Sequence, residues 1–376
     1  MGPKRTSRMA PTLGERLRMA RKAKGWSTRT VAERLRGLAS ASHATIANYE
    51  KDATRPPIDV LSGLATLYER PVNWFLGDGP MLSGVRYRNL KSKVTVRDRH
   101  RFEGDAQRWL DAYRNIEQHL AEPLDAEITD FEFIEDESPG ALASRVRNRL
   151  DLDDDEPVPS VTEVLEALGV RVMEIETDLA IDGLAAAMDE ESVVVLNGDV
   201  SNDRARLNAA HELGHVLRGD CAERDESREE EKAAFRFASH LMLTPPMLRE
   251  AFKRKSMVDL VKFKERFGIS LAAMIYRANE ENILSDGEVK RLWIEFNKRG
   301  WRKKEPGRVL ADRATRFESL LSSAMIERNL PLEALAQISG VRVEELKRRL
   351  DLATGSEEDD WRGEEDQAPK RLRLVR

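Results

Sequence analysis

The segment His211-Glu-Leu-Gly-His215 constrains the fold more than any other part of this chain. It lies in a stretch from Leu207 to Leu217 that has no proline and is apolar on both sides of the polar residues. This pattern favours a buried helix. Residues four positions apart lie one above the other on a helical face, so the two imidazoles project from the same side. The chain is therefore expected to fold around a helix that buries two histidines and a glutamate.

This spacing also predicts a metal site. Two imidazoles on one helical face, His211 and His215, can ligate a single zinc ion. Glu212 then points beside the metal rather than at it, where it can take a proton from a water molecule that the metal activates. A catalytic zinc site has three protein ligands and one open position. The motif therefore predicts one Zn²⁺ per chain, with Glu212 as the catalytic base of a hydrolytic reaction.

The third ligand is expected in the acidic run Glu229-Glu230-Glu231, which lies 14 to 16 residues beyond His215. That distance leaves room for a loop and a returning helix, whose first turn favours acidic residues because of the helix dipole. The residues alone leave the choice among the three glutamates open. A longer zincin pattern would need a histidine at position 221, where this chain has Cys221. We interpret Cys221 and His240 as structural residues.

Two segments around this motif carry a family resemblance. They are Ala210-His-Glu-Leu-Gly-His-Val-Leu217 and Glu231-Lys-Ala-Ala-Phe-Arg-Phe-Ala-Ser-His-Leu-Met-Leu-Thr-Pro245. Together they resemble the ImmA/IrrE metallopeptidase family, whose second motif is an acidic residue followed by Phe-Ala, an apolar run and Pro. The resemblance implies that Glu231 is the third ligand. Many members carry Glu-Ala-Asn where this chain has Ala233-Ala-Phe235; if the later glutamate were the family ligand, Glu230 or Glu231 would substitute for it.

Charge separates the two ends of the chain. Residues 1–100 hold 20 Lys and Arg against 8 Asp and Glu, a net of +12, and the remainder holds 42 against 59, a net of −17. The overall charge of −5 is the sum of these two net charges and hides the difference between them. A basic module attached to an acidic remainder indicates that nucleic acid is the first candidate partner of the basic end.

The basic end contains a set of short helical segments. The segments that carry its pattern are Leu13-Gly-Glu-Arg-Leu-Arg18, Val31-Ala-Glu-Arg-Leu35, Ser42-His-Ala-Thr-Ile-Ala-Asn-Tyr-Glu50 and Arg55-Pro-Pro57. In this order they resemble the Xre, or phage-repressor-like, helix-turn-helix family. Two departures affect the docking geometry: the turn between Leu35 and Ser42 is about four residues longer than usual for the family, and Thr28 stands where Gln is common.

The resemblance implies a recognition helix that begins after Ser42 and enters the major groove of double-stranded DNA. Asn48 is the best candidate for a bidentate contact to adenine. Ser27 and its neighbours, at the start of the preceding helix, are expected to bind phosphate. The residues expected to contact the operator are Thr28, Arg29, Ser42, His43, Ala44, Thr45 and Asn48.

Periodicity elsewhere predicts a mainly α-helical chain with a small β-sheet, which is an α+β fold class. Short strands are expected at 170–176, 184–188 and 193–196, and helices dominate the rest. The expected divisions are a flexible basic arm (1–12), an all-α helix-turn-helix domain (13–78), a basic linker and connector helix (79–124), a zincin-like peptidase domain (125–285), a C-terminal helical region (286–352) and a disordered tail (353–376).

Two helical regions have more than one interpretation. The predicted helix over 97–122 carries an apolar stripe that either packs against the following domain or pairs with a second copy in a dimer. The stripe consists of Phe102, Ala106, Trp109, Tyr113, Ile116 and Leu120. Residues 332–346 repeat a helix-turn-helix outline, but Glu344 and Glu345 would repel phosphate, so a packing role is favoured.

No apolar run approaches the length of about 18 to 20 residues that a membrane span needs. The N-terminus lacks the apolar core of a secretory signal, and the single cysteine allows no intramolecular disulfide. We therefore expect a cytoplasmic protein with no membrane partner. Homodimerisation is expected because one module of the helix-turn-helix type contacts few base pairs.

The sequence therefore predicts a DNA-binding transcriptional regulator that carries a zinc-dependent endopeptidase. Its expected substrate is a partner regulator, with repressors as candidates, or the chain itself, in a stress or mobile-element response. The alternative is a transcriptional repressor whose zinc domain is a sensor or a non-proteolytic interaction module.

Overall fold

The computed structural model describes residues 11–77, 79–88, 94–125, 134, 136–188, 191–218, 228–254 and 256–353. Within these ranges the chain forms seventeen helices and four strands, which confirms the expected mainly α-helical fold with a small sheet. Most of the predicted arm, Cys221 and all but the first residue of the predicted tail lie outside the described residues.

The first five helices form the unit predicted for the basic end. They are α1 (Leu13–Ala23), α2 (Thr28–Leu35), α3 (His43–Tyr49), α4 (Ile58–Tyr68) and α5 (Val72–Leu76). Ser27 and Ser42 cap α2 and α3, because each hydroxyl accepts a hydrogen bond from a backbone N–H in the first turn. Leu17, Val31 and Ile46 are among the residues that form a core of their own between these helices.

Four strands form one sheet. They are β1 (Leu82–Arg88), β2 (Arg171–Ile175), β3 (Gly183–Met188) and β4 (Glu191–Asn197). Their order is β1-β3-β4-β2, in which β2 and β4 are parallel and the other two pairs are antiparallel. The three predicted strands are confirmed in type and place.

The prediction of a linker was wrong for Leu82–Arg88, which is the edge strand β1. The register of its pairing with β3 shifts between Ser83 and Arg86, where Gly84 has a φ of +58°. Such a bulge interrupts the two-residue period by which a strand is recognised. The basic residues at positions 86 and 88 also made the strand hard to recognise from the sequence, because buried strands are normally apolar.

The predicted long helix is α6 (Val96–Leu120), and its apolar stripe is buried inside the chain. Phe102, Tyr113 and Ile116 pack against one face of the sheet, with Leu184 and Val195 among their neighbours in the same cluster. The stripe therefore packs within the protein, which agrees with the first of its two interpretations and not with the alternative of a dimer seam.

The remaining helices enclose the sheet on two sides. They are α7 (Pro139–Arg149), α8 (Val161–Ala167), α9 (Asn202–Arg218), α10 (Arg228–Met242), α11 (Pro245–Ala251), α12 (Met257–Phe267), α13 (Leu271–Glu280), α14 (Asp286–Lys298), α15 (Arg316–Glu327), α16 (Leu332–Ser339) and α17 (Val343–Ala353). Helices α7 to α14 share a core with one face of the sheet, whereas α6 and α15 to α17 cover the other face. Among the described residues, no helix is both long and apolar enough to span a membrane.

The second helix-turn-helix outline packs onto α6. Leu335 of α16 and Leu346 of α17 are buried in the same cluster as the α6 stripe, and Glu345 pairs with Arg108 of α6 at 2.9 Å. The predicted packing role of this region is therefore confirmed.

Helix α6 also contacts the helix-turn-helix unit. A Cβ at Gly104 would lie 2.0 Å from the Cβ of Ala23 in α1, so only glycine permits this approach of the two helices. The helix predicted as a connector thus packs on the helix-turn-helix unit and on the sheet at once.

Candidate metal centre and nucleic-acid interface

Helix α9 places the two motif histidines side by side. The Nε2 atoms of His211 and His215 lie 3.0 Å apart, and their rings cross at 76°. Both residues are only 1% exposed. This follows from the sequence, because the helical period puts positions i and i+4 on one face and the apolar flanks bury that face.

Glu231 approaches both imidazoles from α10. Its Oε1 lies 3.1 Å from Nε2 of His215, and its Oε2 lies 3.4 Å from Nε2 of His211. Three atoms bound to one tetrahedral zinc at about 2.0–2.1 Å would be about 3.3 Å apart. The separations of 3.0 to 3.4 Å among the three donors therefore fit a single zinc ion.

The electrostatics of Glu231 suit a ligand. Burial acts to raise the pKa of this carboxyl, but the hydrogen bonds and charges of His211 and His215 outweigh burial and hold the pKa below its ordinary value. The carboxylate is therefore ionised, as a metal ligand must be, and a bound cation would take the place of the imidazolium charges, because zinc binds neutral histidine.

The structure shows which of the three glutamates in the acidic run faces the histidines. Glu229 is exposed and pairs with Lys232 of its own helix at 2.7 Å. Glu230 pairs with Arg86 of β1 at 3.0 Å. Glu231 alone of the three faces the histidines, because successive residues on a helix point about 100° apart.

A glycine in the motif allows α10 to come this close to α9. A Cβ at Gly214 would lie 2.9 Å from Cδ1 of Phe237 and 3.2 Å from Cα of Ala234, so any side chain would push the two helices apart. Because the donors come from both helices, their spacing depends on this close packing.

Glu212 and His240 lie on the two helices that carry the three donor residues. Glu212 is 1% exposed and lies beside His211 on the same helix. His240 lies nine residues beyond Glu231 on α10, and its Nδ1 is 2.7 Å from a guanidinium nitrogen of Arg277. Burial and this cation lower the pKa of His240. These contacts agree with a structural interpretation of His240.

The residues expected at DNA lie on the outer surface of the helix-turn-helix unit. His43, Ala44 and Asn48 of α3 are exposed, whereas Ile46 and Tyr49 face the core. Of the other residues expected to contact DNA, Thr45 and Thr28 are partly buried, whereas Arg29 and Ser42 are exposed. The Ser42 hydroxyl accepts from the Thr45 N–H at 3.1 Å and therefore acts as a helix cap.

One residue beside the candidate metal centre, Arg86, was not predicted from the sequence. Its only local signal was a basic residue in an apolar alternation around Val85 and Tyr87, within a segment interpreted as a linker. The contact of Arg86 with Glu230 joins positions 144 residues apart, so no local pattern could indicate it.

Comparison with protein families identifies two domains in the chain. Residues 12–73 match a helix-turn-helix domain, the class of module that docks in the DNA major groove. Residues 165–279 match the IrrE N-terminal-like domain of a metallopeptidase family, whose members are in general zinc-dependent. The chain therefore joins a DNA-binding type of domain to a metallopeptidase-type domain, which confirms both resemblances. No curated protein matches the chain.

Proposed function

We propose that His211, His215 and Glu231 hold one zinc ion and that Glu212 is the catalytic base of a peptidase. The observation that carries this proposal is the set of three donor atoms, 3.0 to 3.4 Å apart and contributed by two closely packed helices. When bound, zinc supplies a Lewis acid that polarises a scissile carbonyl and lowers the pKa of water to about 7.

The chain's own residues supply the remaining chemistry. Glu212 accepts a proton from the attacking water and then delivers it to the leaving amine. Its burial beside His211 keeps bulk water away from the proton transfer. The edge strand β1 offers backbone groups on its outer side to which an extended peptide could add as a further strand.

The helix-turn-helix domain would bring this peptidase to specific sites on DNA. We propose that α3 reads an operator through His43, Ala44, Thr45 and Asn48 while Thr28, Arg29 and Ser42 lie at the phosphates. The protein acts in the cytoplasm as a homodimer and cleaves a partner regulator or itself to change transcription in a stress or mobile-element response. The basic charge of residues 1–100 supports the DNA partner.

The experiment compares zinc-loaded wild type with Glu212→Ala. Each protein is incubated with candidate repressors encoded by neighbouring genes, and fragments are identified by mass spectrometry. We expect cleavage by the wild type alone. Cleavage by Glu212→Ala at the wild-type rate contradicts the role of Glu212. Equal regulation of target genes in cells by both proteins would instead support the alternative, a repressor whose zinc domain senses or binds without cutting.

A further inference from the structure

Arg86 is a buried cation on the sheet edge, and the sheet register shows which way it points. Arg86 lies opposite Ala185 of β3, whereas Tyr87 lies opposite Leu184. Residues opposite each other in an antiparallel pair share a face. Ala185 belongs to the core that the sheet shares with α9 and α10, and Leu184 belongs to the core under α6. The Arg86 side chain therefore points toward the helices that carry the metal ligands.

The contact that Arg86 makes there is specific. One guanidinium nitrogen donates to Oε2 of Glu230 at 3.0 Å, and the Arg86 side chain is 5% exposed. Glu230 directly precedes Glu231 in the first turn of α10, which begins at Arg228. Glu229 of the same turn pairs with Lys232, but that pair lies within the helix and is exposed, so it does not fix the helix to the sheet.

The geometry of the edge strand sets the direction of the Arg86 side chain. The bulge at Gly84 changes the register immediately before Arg86, and bulges commonly re-aim a side chain near a site. The start of the strand is held to α6, because the Leu82 N–H donates to Oε1 of Gln107 at 2.8 Å. Arg86 thus extends from a strand that is fixed at its start.

A buried ion pair is weak evidence for stability, because desolvation offsets much of the attraction. Its value here is geometric, since one guanidinium nitrogen of Arg86 holds one carboxylate oxygen of Glu230 at a defined place beside the sheet. We propose that Arg86 is a positioning residue of the metal centre. It holds Glu230 and thereby fixes the first turn of α10 in the rotation that presents Glu231 to His211 and His215.

This inference rests on the zinc site of the proposed function, and its test measures zinc affinity rather than cleavage. The full-length Arg86→Gln and Glu230→Gln proteins are titrated with zinc in competition with a chromophoric chelator. We expect both to bind zinc more weakly than wild type, by up to the roughly 10- to 100-fold that removing a direct partner of a ligand costs, because Arg86 and Glu230 act on Glu231 through the helix turn. Arg86→Lys should recover part of the affinity because it keeps a charged donor for Glu230 but carries it on a more flexible stem.

Arg171→Gln is the matched control. Arg171 is a buried arginine on β2, at the opposite edge of the sheet, and pairs with Glu117 at 2.7 Å and with Glu191. Its loss should lower the melting temperature and leave the zinc Kd unchanged. Circular dichroism checks folding in each variant, and Glu230→Gln decides the matter if Arg86→Gln does not fold.

The outcomes separate the two claims. A wild type that binds no zinc would contradict the proposed function itself. A wild type that binds zinc, with Arg86→Gln and Glu230→Gln binding it equally tightly, would overturn the positioning role alone. The same would follow if Arg171→Gln weakened zinc binding as much as Arg86→Gln does, because the effect would then be a general loss of stability.

Discussion

The indole N–H of Trp74 donates a hydrogen bond to Oδ2 of Asp111 over 2.7 Å, which ties the short helix α5 to the long helix α6. Arg70 pairs with the same oxygen at 2.9 Å, and Gln107 donates to Oδ1 at 2.7 Å. Two residues further along α6, Tyr113 is buried under the sheet. The helix-turn-helix domain and the sheet beside the candidate metal centre therefore pack on the same helix.

Replacing Asp111 tests how strongly the helix-turn-helix domain is held to α6. In Asp111→Ala the guanidinium of Arg70, whose side chain is 10% exposed, loses its carboxylate, which should cost about 3–5 kcal/mol. Urea unfolding of the full-length protein measures this change. The exposed Asp59 provides the control, since Asp59→Ala removes only a helix-dipole interaction in the first turn of α4 and should cost no more than about 1 kcal/mol. Equal midpoints for Asp111→Ala and wild type would show that the contact does not hold the domain.

Gly214→Ala tests the close packing of α9 on α10. The added methyl group would meet Phe237 at 2.9 Å, so we expect a loss of about 1–3 kcal/mol from overpacking together with weaker zinc binding. Thermal unfolding and zinc titration measure the two effects. Gly287 of α14 is the control, because a Cβ there meets only Arg291, at 3.9 Å, and Gly287→Ala should stabilise the helix slightly. A Gly214→Ala protein with wild-type stability and zinc affinity would contradict the packing argument.

Asn48 and Arg29 should affect DNA binding in different ways. DNA selected from a random library by the full-length protein supplies the specific site. Asn48→Ala should reduce discrimination between selected and unrelated DNA by about 1–3 kcal/mol, or about 5- to 150-fold. Arg29→Ala should weaken both and reduce the salt slope by about one. Asn73→Ala, at an exposed position on α5, is the control. Full discrimination by Asn48→Ala would remove this residue from the recognition surface.

Glu166 predicts a pH dependence of stability. Burial raises the pKa of Glu166 from 4.5 to about 7, against the opposing charge of Arg316, and among the described residues its Oε1 is buried without a hydrogen-bond partner. The folded state therefore keeps a proton that the unfolded state releases above pH 4.5. The resulting stability is present below pH 4.5 and is lost as the pH rises through 7.

The variant Glu166→Gln removes this titration. We expect it to be more stable than wild type by about 3 kcal/mol at pH 8 and nearly equal to it at pH 4.5. Urea unfolding of both proteins at each pH measures the difference, so other titrating groups cancel. A gain of equal size at both pH values would show that the proton on Glu166 is not its cause.

Local patterns predicted the parts of the structure that local physics decides. The spacing of His211 and His215 fixed their common face, and the hydroxyls of Ser27 and Ser42 marked two helix starts. The α6 stripe showed that one face of a helix is buried. It did not show what covers that face, because an apolar stripe fits a neighbouring sheet and a second copy equally well.

The rest of the site depends on contacts between distant segments. The choice of Glu231 over Glu229 and Glu230 depends on the rotation of α10 about its axis, which an acidic run does not reveal. Arg86 lay in a segment whose bulge concealed a strand, and its partner is 144 residues away. These features become visible only when the sheet and the two helices are placed together.

The central claim is that three named side chains hold one zinc ion, and zinc content tests it most directly. The full-length protein is loaded with zinc and dialysed, and metal per chain is measured by atomic spectroscopy. We predict one zinc per chain in wild type, in Glu212→Gln and in the exposed control Glu229→Gln, and far less than one in His211→Ala and Glu231→Gln. A full zinc complement in Glu231→Gln, or none in wild type, would contradict the account.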